Sequence, residues 1–163
     1  MRSTEPDLEM GAVFDAPDKG SGVPSHATCR REIESLHEFF VDWYTGAVDG
    51  DAFERLQRAL GSDFEMVTPD GARREYEAVV DAIRDRHATR DPGTFDIDIR
   101  KVEPRYAGDG CRLLRYEEWQ ETPDDTTGRV STVLFEAAPD APGGVVWRDL
   151  HETWLLGPDS HDG

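Results

Sequence analysis

Val145-Val146-Trp147-Arg148-Asp149-Leu150-His151-Glu152-Thr153-Trp154-Leu155-Leu156 is the stretch on which the reading of the whole chain depends. β-Branched and aromatic residues dominate it, and its length suits one long strand. A strand sends alternate side chains to opposite faces. One face then carries Val145, Trp147, Asp149, His151, Thr153 and Leu155, and the other Val146, Arg148, Leu150, Glu152 and Trp154. Both faces mix bulky apolar groups with ionisable ones, which a plain core strand has no reason to do. The pattern points to a strand that floors a pocket.

Working back from it, the Pro/Gly-rich residues 139–144 connect to a strand at 129–137. A polar loop at 123–128 connects that to a strand at 111–121. Gly108-Asp109-Gly110 turns the chain back into an alternating segment that begins Phe95, Ile97, Ile99 and continues toward Tyr106. Hairpin-type connections between four long strands make a meander. Upstream, Ile33, Leu36, Phe40, Trp43 and Ala47 recur at helical spacing and predict an amphipathic helix over 30–47. Asp51 and Glu54 form a capping-box pattern for a short second helix, which Gly61 stops. Phe64, Met66 and Thr68 alternate in a strand that ends in Pro69-Asp70-Gly71. A third helix is expected over about 73–89, with Tyr76, Val79, Val80, Ile83 and His87 as its stripe.

The chain has 163 residues, enough for one domain with a sizeable core and too few for two comfortable ones. Acidic residues number 35 against 18 basic, a net charge of −17, and only Lys19 and Lys101 are lysines. Nucleic acid and anionic membrane surfaces are therefore poor partners. This Arg-over-Lys, Asp/Glu-rich composition is similar to that of cytosolic proteins of salt-loving archaea, which speaks to habitat and not to activity. Cys29 and Cys111 offer neither a disulfide framework nor zinc-ligand spacing. No apolar run approaches the roughly 20 residues that span a bilayer, and the N-terminus lacks an apolar signal segment. A cytoplasmic protein is the default. Residues 1–28 are expected to be a disordered tail, 29–157 the folded domain and 158–163 a short acidic tail.

Helix, short helix, strand, helix and a four-stranded meander is the element order of the nuclear transport factor 2-like superfamily. The chain resembles in particular its SnoaL-like and ketosteroid-isomerase-like small proteins. The helix 33–47, the segment Asp63-Phe64-Glu65-Met66-Val67-Thr68-Pro69-Asp70-Gly71 and Trp147 to Trp154 carry the resemblance. It implies an α+β cone, with three N-terminal helices packed on a strongly bent, mostly antiparallel sheet. A pocket between helices and inner sheet face, and a homodimer through the outer face, belong to the same implication. Isomerases, cyclases, dehydratases, ligand binders and assembly domains all use this fold, so the fold selects none of them.

The candidate site follows from placing the Trp147 and His151 face inward, with Glu117, Trp119 and Ser131 beside it. His151 would be base or acid, Glu117 would orient it, and Tyr44 would donate to a developing oxyanion. Trp43, Met66, Arg115, Trp119, Ser131 and Trp147 would line the ligand, a small apolar or aromatic molecule. No metal and no cofactor are expected. The outer face would then carry Arg112, Tyr116, Glu118, Arg148, Glu152 and Trp154 as a dimer surface. If the faces are inverted, Glu118, Arg148 and Glu152 become the pocket candidates. His37 is expected to be a boundary histidine and His87 a core or cap residue. The competing reading is a non-catalytic homodimeric assembly domain, its cavity filled by side chains and its ionisable groups a buried network that fixes strand register.

Overall fold

The computed structural model describes residues 22–158. Ser25 opens the first helix, its hydroxyl accepting the Thr28 N–H at 3.0 Å. Helix α1 spans His26–Tyr44 and buries Cys29, Ile33, Leu36 and Trp43 along one stripe. At its end the Thr45 hydroxyl donates to the Val41 carbonyl at 2.7 Å, and Gly46, at φ +76°, turns the chain away. The helix thus starts and ends three to four residues before the expected 30–47. Of the expected tail 1–28, only 22–28 lie within the described residues, and they hold the cap and first turn of α1. Of the expected C-terminal tail, Pro158 alone does, so His161 lies outside them.

A 3-10 turn at Gly50–Phe53 leads into α2, Glu54–Ala59. Asp51 lies inside the turn and Asp49 takes the cap position with no side-chain bond, so the expected capping pair does not form. Gly61 is not a stop signal either. It lies in β1, Leu60–Val67, which follows α2 without a loop. Gly71, at φ +90°, closes the tight turn of Thr68 to Ala72 into β2, Arg73–Glu75. The first residues of the expected third helix therefore pair with β1 instead, Arg74 opposite Met66. Only Tyr76–Arg84 form α3.

The meander follows as β3 (Asp96–Gly108), β4 (Cys111–Glu121), β5 (Thr126–Ala137) and β6 (Val145–Leu156). The sheet order is β2-β1-β6-β5-β4-β3, with β1 and β6 parallel and every other pair antiparallel. This is the α+β architecture expected, three helices against one face of a mostly antiparallel sheet. Ile33, Leu36, Leu114, Val133, Phe135 and Trp147 form the centre of the core between the layers.

One irregularity decides which side chains face that core. On β6, Trp147 pairs with Phe135 and Asp149 with Leu134, so Arg148 is an extra residue with no partner. It is a β-bulge, and it reverses the alternation along the strand. Val145 and Trp147 point inward before it; Leu150, Glu152 and Trp154 do so after it. The Arg148 guanidinium reaches over the outer face to Glu136 and Asp63, both at 3.0 Å. The strict two-face division of this strand is therefore corrected: the inner face takes one half from each expected set.

A second anchor ties the layers together. The Glu32 carboxylate, 1% exposed, accepts two bonds from Arg55 at 2.8 and 3.2 Å and one from the Trp147 indole at 3.0 Å. It joins α1, α2 and β6 in one buried cluster. Gly143 packs directly on it, where any Cβ would strike the carboxylate.

Candidate functional site

Above the inner face, α1 and α3 stand clear of β1 and β6 and leave a cavity of about 320 Å³. Phe40, Phe64, Met66, Ile83 and Leu150 supply apolar walls. The opposite wall is polar, and strand register builds it. Directly opposed residues of an antiparallel pair share a face. Tyr116, Ser131 and Glu152 therefore form one inward row across β4, β5 and β6, and Glu118, Arg129 and Trp154 form the next.

His37 comes down from α1 onto this wall. Its Nδ1 lies 2.7 Å from the Ile33 carbonyl, which can only accept, so Nδ1 carries hydrogen. Its Nε2 lies 3.1 Å from Glu118 Oε1, and both side chains are about 6% exposed. With an acceptor at each ring nitrogen, the charged pair of imidazolium and carboxylate fits best. Burial alone pushes the His37 pKa down, but the Glu118 charge and hydrogen bond outweigh it and leave it raised. For Glu118, burial pushes up, yet His37, Arg129 and the Gln120 amide at 2.7 Å hold it down at about 2.

Glu152 behaves in the opposite way. Burial raises its pKa, the Glu118 charge raises it further, and Arg129 at 2.9 Å and Ser131 at 3.1 Å compensate only in part. Two buried carboxyls with proton affinities pushed apart are the pattern of an acid facing a base. Arg129 bridges them, with its guanidinium 4.9 Å from the Trp154 ring. The fully buried Tyr116 hydroxyl sits beside Ser131, but no group meets it in good hydrogen-bonding geometry. Tyr44 also lines the cavity, and burial pushes its phenol up to about 12, so it stays a proton donor at neutral pH.

The Glu152 shift has a testable sign. A carboxyl whose folded pKa lies above its unfolded value stabilises the fold below the unfolded pKa, and that stability is lost as pH rises through the folded one. Glu152→Gln removes the titration. The stability of the variant minus that of the parent is expected to grow from pH 4 to pH 7 in urea denaturation. A difference that is flat or falls over this range contradicts the assignment.

The expected site residues divide. Tyr44, Met66 and Trp147 line the cavity, and Ser131 is buried on its wall through Glu152. His151 is exposed on the outer face, opposite Thr132. Glu117 lies there too, bonded to the Trp119 indole at 3.0 Å and 3.6 Å from Lys101, so it cannot orient His151 inside the cavity. Arg115 bonds Thr132 on that same face at 3.2 Å. Trp43 is core: it stacks on His87 at 3.8 Å and donates to the Ile83 carbonyl at 2.8 Å. The expected dimer-face residues Tyr116, Glu118, Glu152 and Trp154 turn inward instead. Arg112 points to the Pro24 carbonyl at 2.8 Å, and Arg148 alone of that set lies outward as expected.

From sequence His37 is read as a boundary histidine and not as a site residue, and that reading is corrected. Ile33, His37, Phe40 and Tyr44 follow the helical spacing i, i+4, i+7, i+11, which puts the histidine on the core-facing stripe. Among the described residues no group of three or more His, Cys, Asp or Glu is arranged to hold a metal, and no helix is long and apolar enough to cross a membrane.

The family described as sucrose-6-phosphate phosphohydrolase C-terminal matches residues 30–156, most of the chain. The chain belongs to that family. Two curated relatives, sucrose-phosphatase 1 and 2 of Nicotiana tabacum, are each 22% identical over 134 residues, 80% of this chain. The match spans 32% of their length, so the chain corresponds to about a third of those proteins. Among solved structures, an NTF-2-like protein of unknown function from Pseudomonas aeruginosa is 31% identical with a TM-score of 0.71. That alignment covers 78% of this chain and 98% of the other, and it establishes the nuclear transport factor 2-like superfamily. ActVI-ORFA from Streptomyces coelicolor (13% identity, TM-score 0.56, 80% and 96% coverage) shares the fold. So does the CaMKII hub of S. rosetta (10%, TM-score 0.54, 78% and 92%).

Proposed function

We propose that this domain binds a small hydroxyl-bearing organic molecule in the cavity between α1, α3 and the inner sheet face. The observation that carries this reading is the pair of buried carboxyls with opposed proton affinities, Glu118 and Glu152, on one wall of a cavity of about 320 Å³. A ligand hydroxyl or carbonyl placed there meets a proton acceptor, a proton donor and the Tyr44 phenol. The same wall suits cofactor-independent isomerisation, cyclisation or dehydration, where a proton leaves one ligand atom and returns to another. The sequence points to a small apolar or aromatic ligand, and the charged wall favours one that also bears hydroxyls. The names of the curated relatives make sugars the first compounds to try.

Calorimetric titration with sucrose and glucose is expected to show saturable binding. Tyr44→Phe should weaken it about tenfold at an unchanged melting temperature, the loss of one hydrogen bond to the ligand. Absence of saturable binding by either sugar, with the same heat from wild type and Tyr44→Phe, counts against the reading.

A second reading has its own support. The chain corresponds to about a third of its curated relatives, and half-buried Leu113, Trp119, Val130 and Leu134 spread over the outer sheet face. A homodimer, or a contact with a separate catalytic domain, would cover them. Light scattering that gives a monomer at all concentrations removes the homodimer.

A further inference from the structure

Two buried donor atoms on the cavity wall have no hydrogen-bond partner in the protein. They are the hydroxyl of Tyr116, a residue 1% exposed, and the Nε of Arg129. Buried polar groups are almost always bonded, so two such atoms beside one cavity need a reason. Register brings them together. Tyr116 stands opposite Ser131 and Glu118 opposite Arg129, which makes Tyr116 and Arg129 diagonal neighbours on the inward face. Both line the cavity. Burial and the Glu118 and Glu152 charges push the Tyr116 phenol well up, and Arg129 is near enough to offset part of that rise. The phenol therefore keeps its proton and can donate it to a hydrogen bond.

The surroundings define the kind of atom that completes this pair. All four oxygens of Glu118 and Glu152 already accept a bond. Glu118 takes His37 Nε2 at 3.1 Å on one oxygen and the Gln120 amide at 2.7 Å on the other. Glu152 takes Arg129 at 2.9 Å and Ser131 at 3.1 Å in the same way. The charges are closed as well, Glu118 with the His37 imidazolium and Glu152 with the Arg129 guanidinium. An anionic group would add a third negative charge to a buried, balanced set, which is unfavourable. A hydroxyl would bring a hydrogen to oxygens that are already engaged. A carbonyl oxygen brings two lone pairs and no hydrogen, and so matches one O–H and one N–H.

Resting on the ligand-binding reading above, we infer that Tyr116 and Arg129 form a subsite for an uncharged carbonyl oxygen of the ligand. The body of the ligand then lies against Phe40, Phe64 and Leu150, with Tyr44 in reach of its hydroxyls. Tyr116 is retained for recognition at the expense of stability, since its hydroxyl is satisfied only when the site is filled. A tyrosine that merely packs would behave in the opposite way. Its hydroxyl would be bonded within the fold, and losing that bond would weaken the fold.

Tyr116→Phe removes the hydroxyl alone and separates the two cases. Without ligand, the variant is expected to melt at or above the temperature of the parent. A lower melting temperature overturns the inference and leaves the ligand-binding reading standing, because Ser131 or an internal water then satisfies the hydroxyl in the free protein. The second arm titrates two ring compounds that differ at one oxygen, 4-hydroxycyclohexanone and cyclohexane-1,4-diol, by calorimetry. Wild type should bind the ketone about fivefold more tightly than the diol, and Tyr116→Phe should bring the two to within about twofold. Equal binding of ketone and diol by wild type overturns the inference, as does a preference that survives in the variant. If neither ring compound binds while sucrose or glucose does, the inference falls alone. If none of the four binds, the ligand-binding reading fails and this inference with it.

Discussion

Glu32→Ala is expected to destabilise the fold by about 3–5 kcal/mol, a fall of roughly 10 °C in Tm. Glu32 is the acceptor on which three elements converge: two Arg55 bonds from α2, the Trp147 indole from β6, and its own place on α1. Removing it leaves a mostly buried guanidinium, 20% exposed, without a counter-charge and a buried indole N–H without an acceptor. The indole cannot turn to water without opening the packed layer, and Arg55 is left with Ser35 as its side-chain partner. Glu32→Gln keeps an acceptor for the indole and most of the volume, so its loss should be clearly smaller. Chemical denaturation in molar salt measures both. An alanine variant within 1 kcal/mol of the parent contradicts the account of this cluster.

The second large effect belongs to His37 and Glu118. His37→Ala removes the ring from a buried ion pair and should also cost about 3–5 kcal/mol at pH 6, because Glu118 keeps its charge with only Gln120 and Arg129 to answer it. The pH dependence separates this from simple loss of packing. His37 has a folded pKa above its ordinary 6.5, so its contribution is complete below pH 6.5 and is lost as pH rises through the folded value. Glu118 has a folded pKa lowered from 4.5 to about 2, so its contribution is complete above pH 4.5 and is lost as pH falls toward 2. These are two views of one ion pair. Stability from it should form a plateau between pH 4.5 and 6.5 and decline on both sides. His37→Gln should remove the alkaline limb. An alkaline limb of the same slope in the variant assigns that limb to another group.

Much of this fold was legible because its strands are punctuated. Gly108-Asp109-Gly110 and the Pro/Gly-rich run at 139–144 bracket β4 and β6, and both strands keep the bounds that the sequence suggested, Cys111–Glu121 and Val145–Leu156. The segment Arg73–Glu75 was harder, because its pairing with β1 is set by the turn before it and not by its own three polar residues. The faces were not legible at all. A single extra residue at Arg148 reverses the alternation, and a bulge leaves no mark in a period-2 pattern. That one residue sends His151 out and Glu152 in. Register does the same on β4, where pairing of Tyr116 with Ser131 fixes Glu118 inside and Glu117 outside. The inverted arrangement considered from sequence named Glu118 and Glu152 correctly as cavity residues. It erred on Arg148, which is the bulge itself.

His37 shows a different failure. From sequence it reads as a boundary histidine; its spacing from Ile33 and Tyr44 fits the buried stripe, but a histidine there has meaning only beside its partner, and Glu118 lies 81 residues later in the chain. Contacts of that range come from the fold. They are outside what local pattern encodes.

The proposed ligand site lies on the His37 side of the sheet and not on the His151 side. Histidine-selective 15N–13C NMR, recorded during titration with sucrose or glucose, tests this placement. The His37 ring resonances should shift in step with saturation while those of His151 stay fixed. Shifts at His151 with His37 unmoved would contradict it, and would put the site on the outer face.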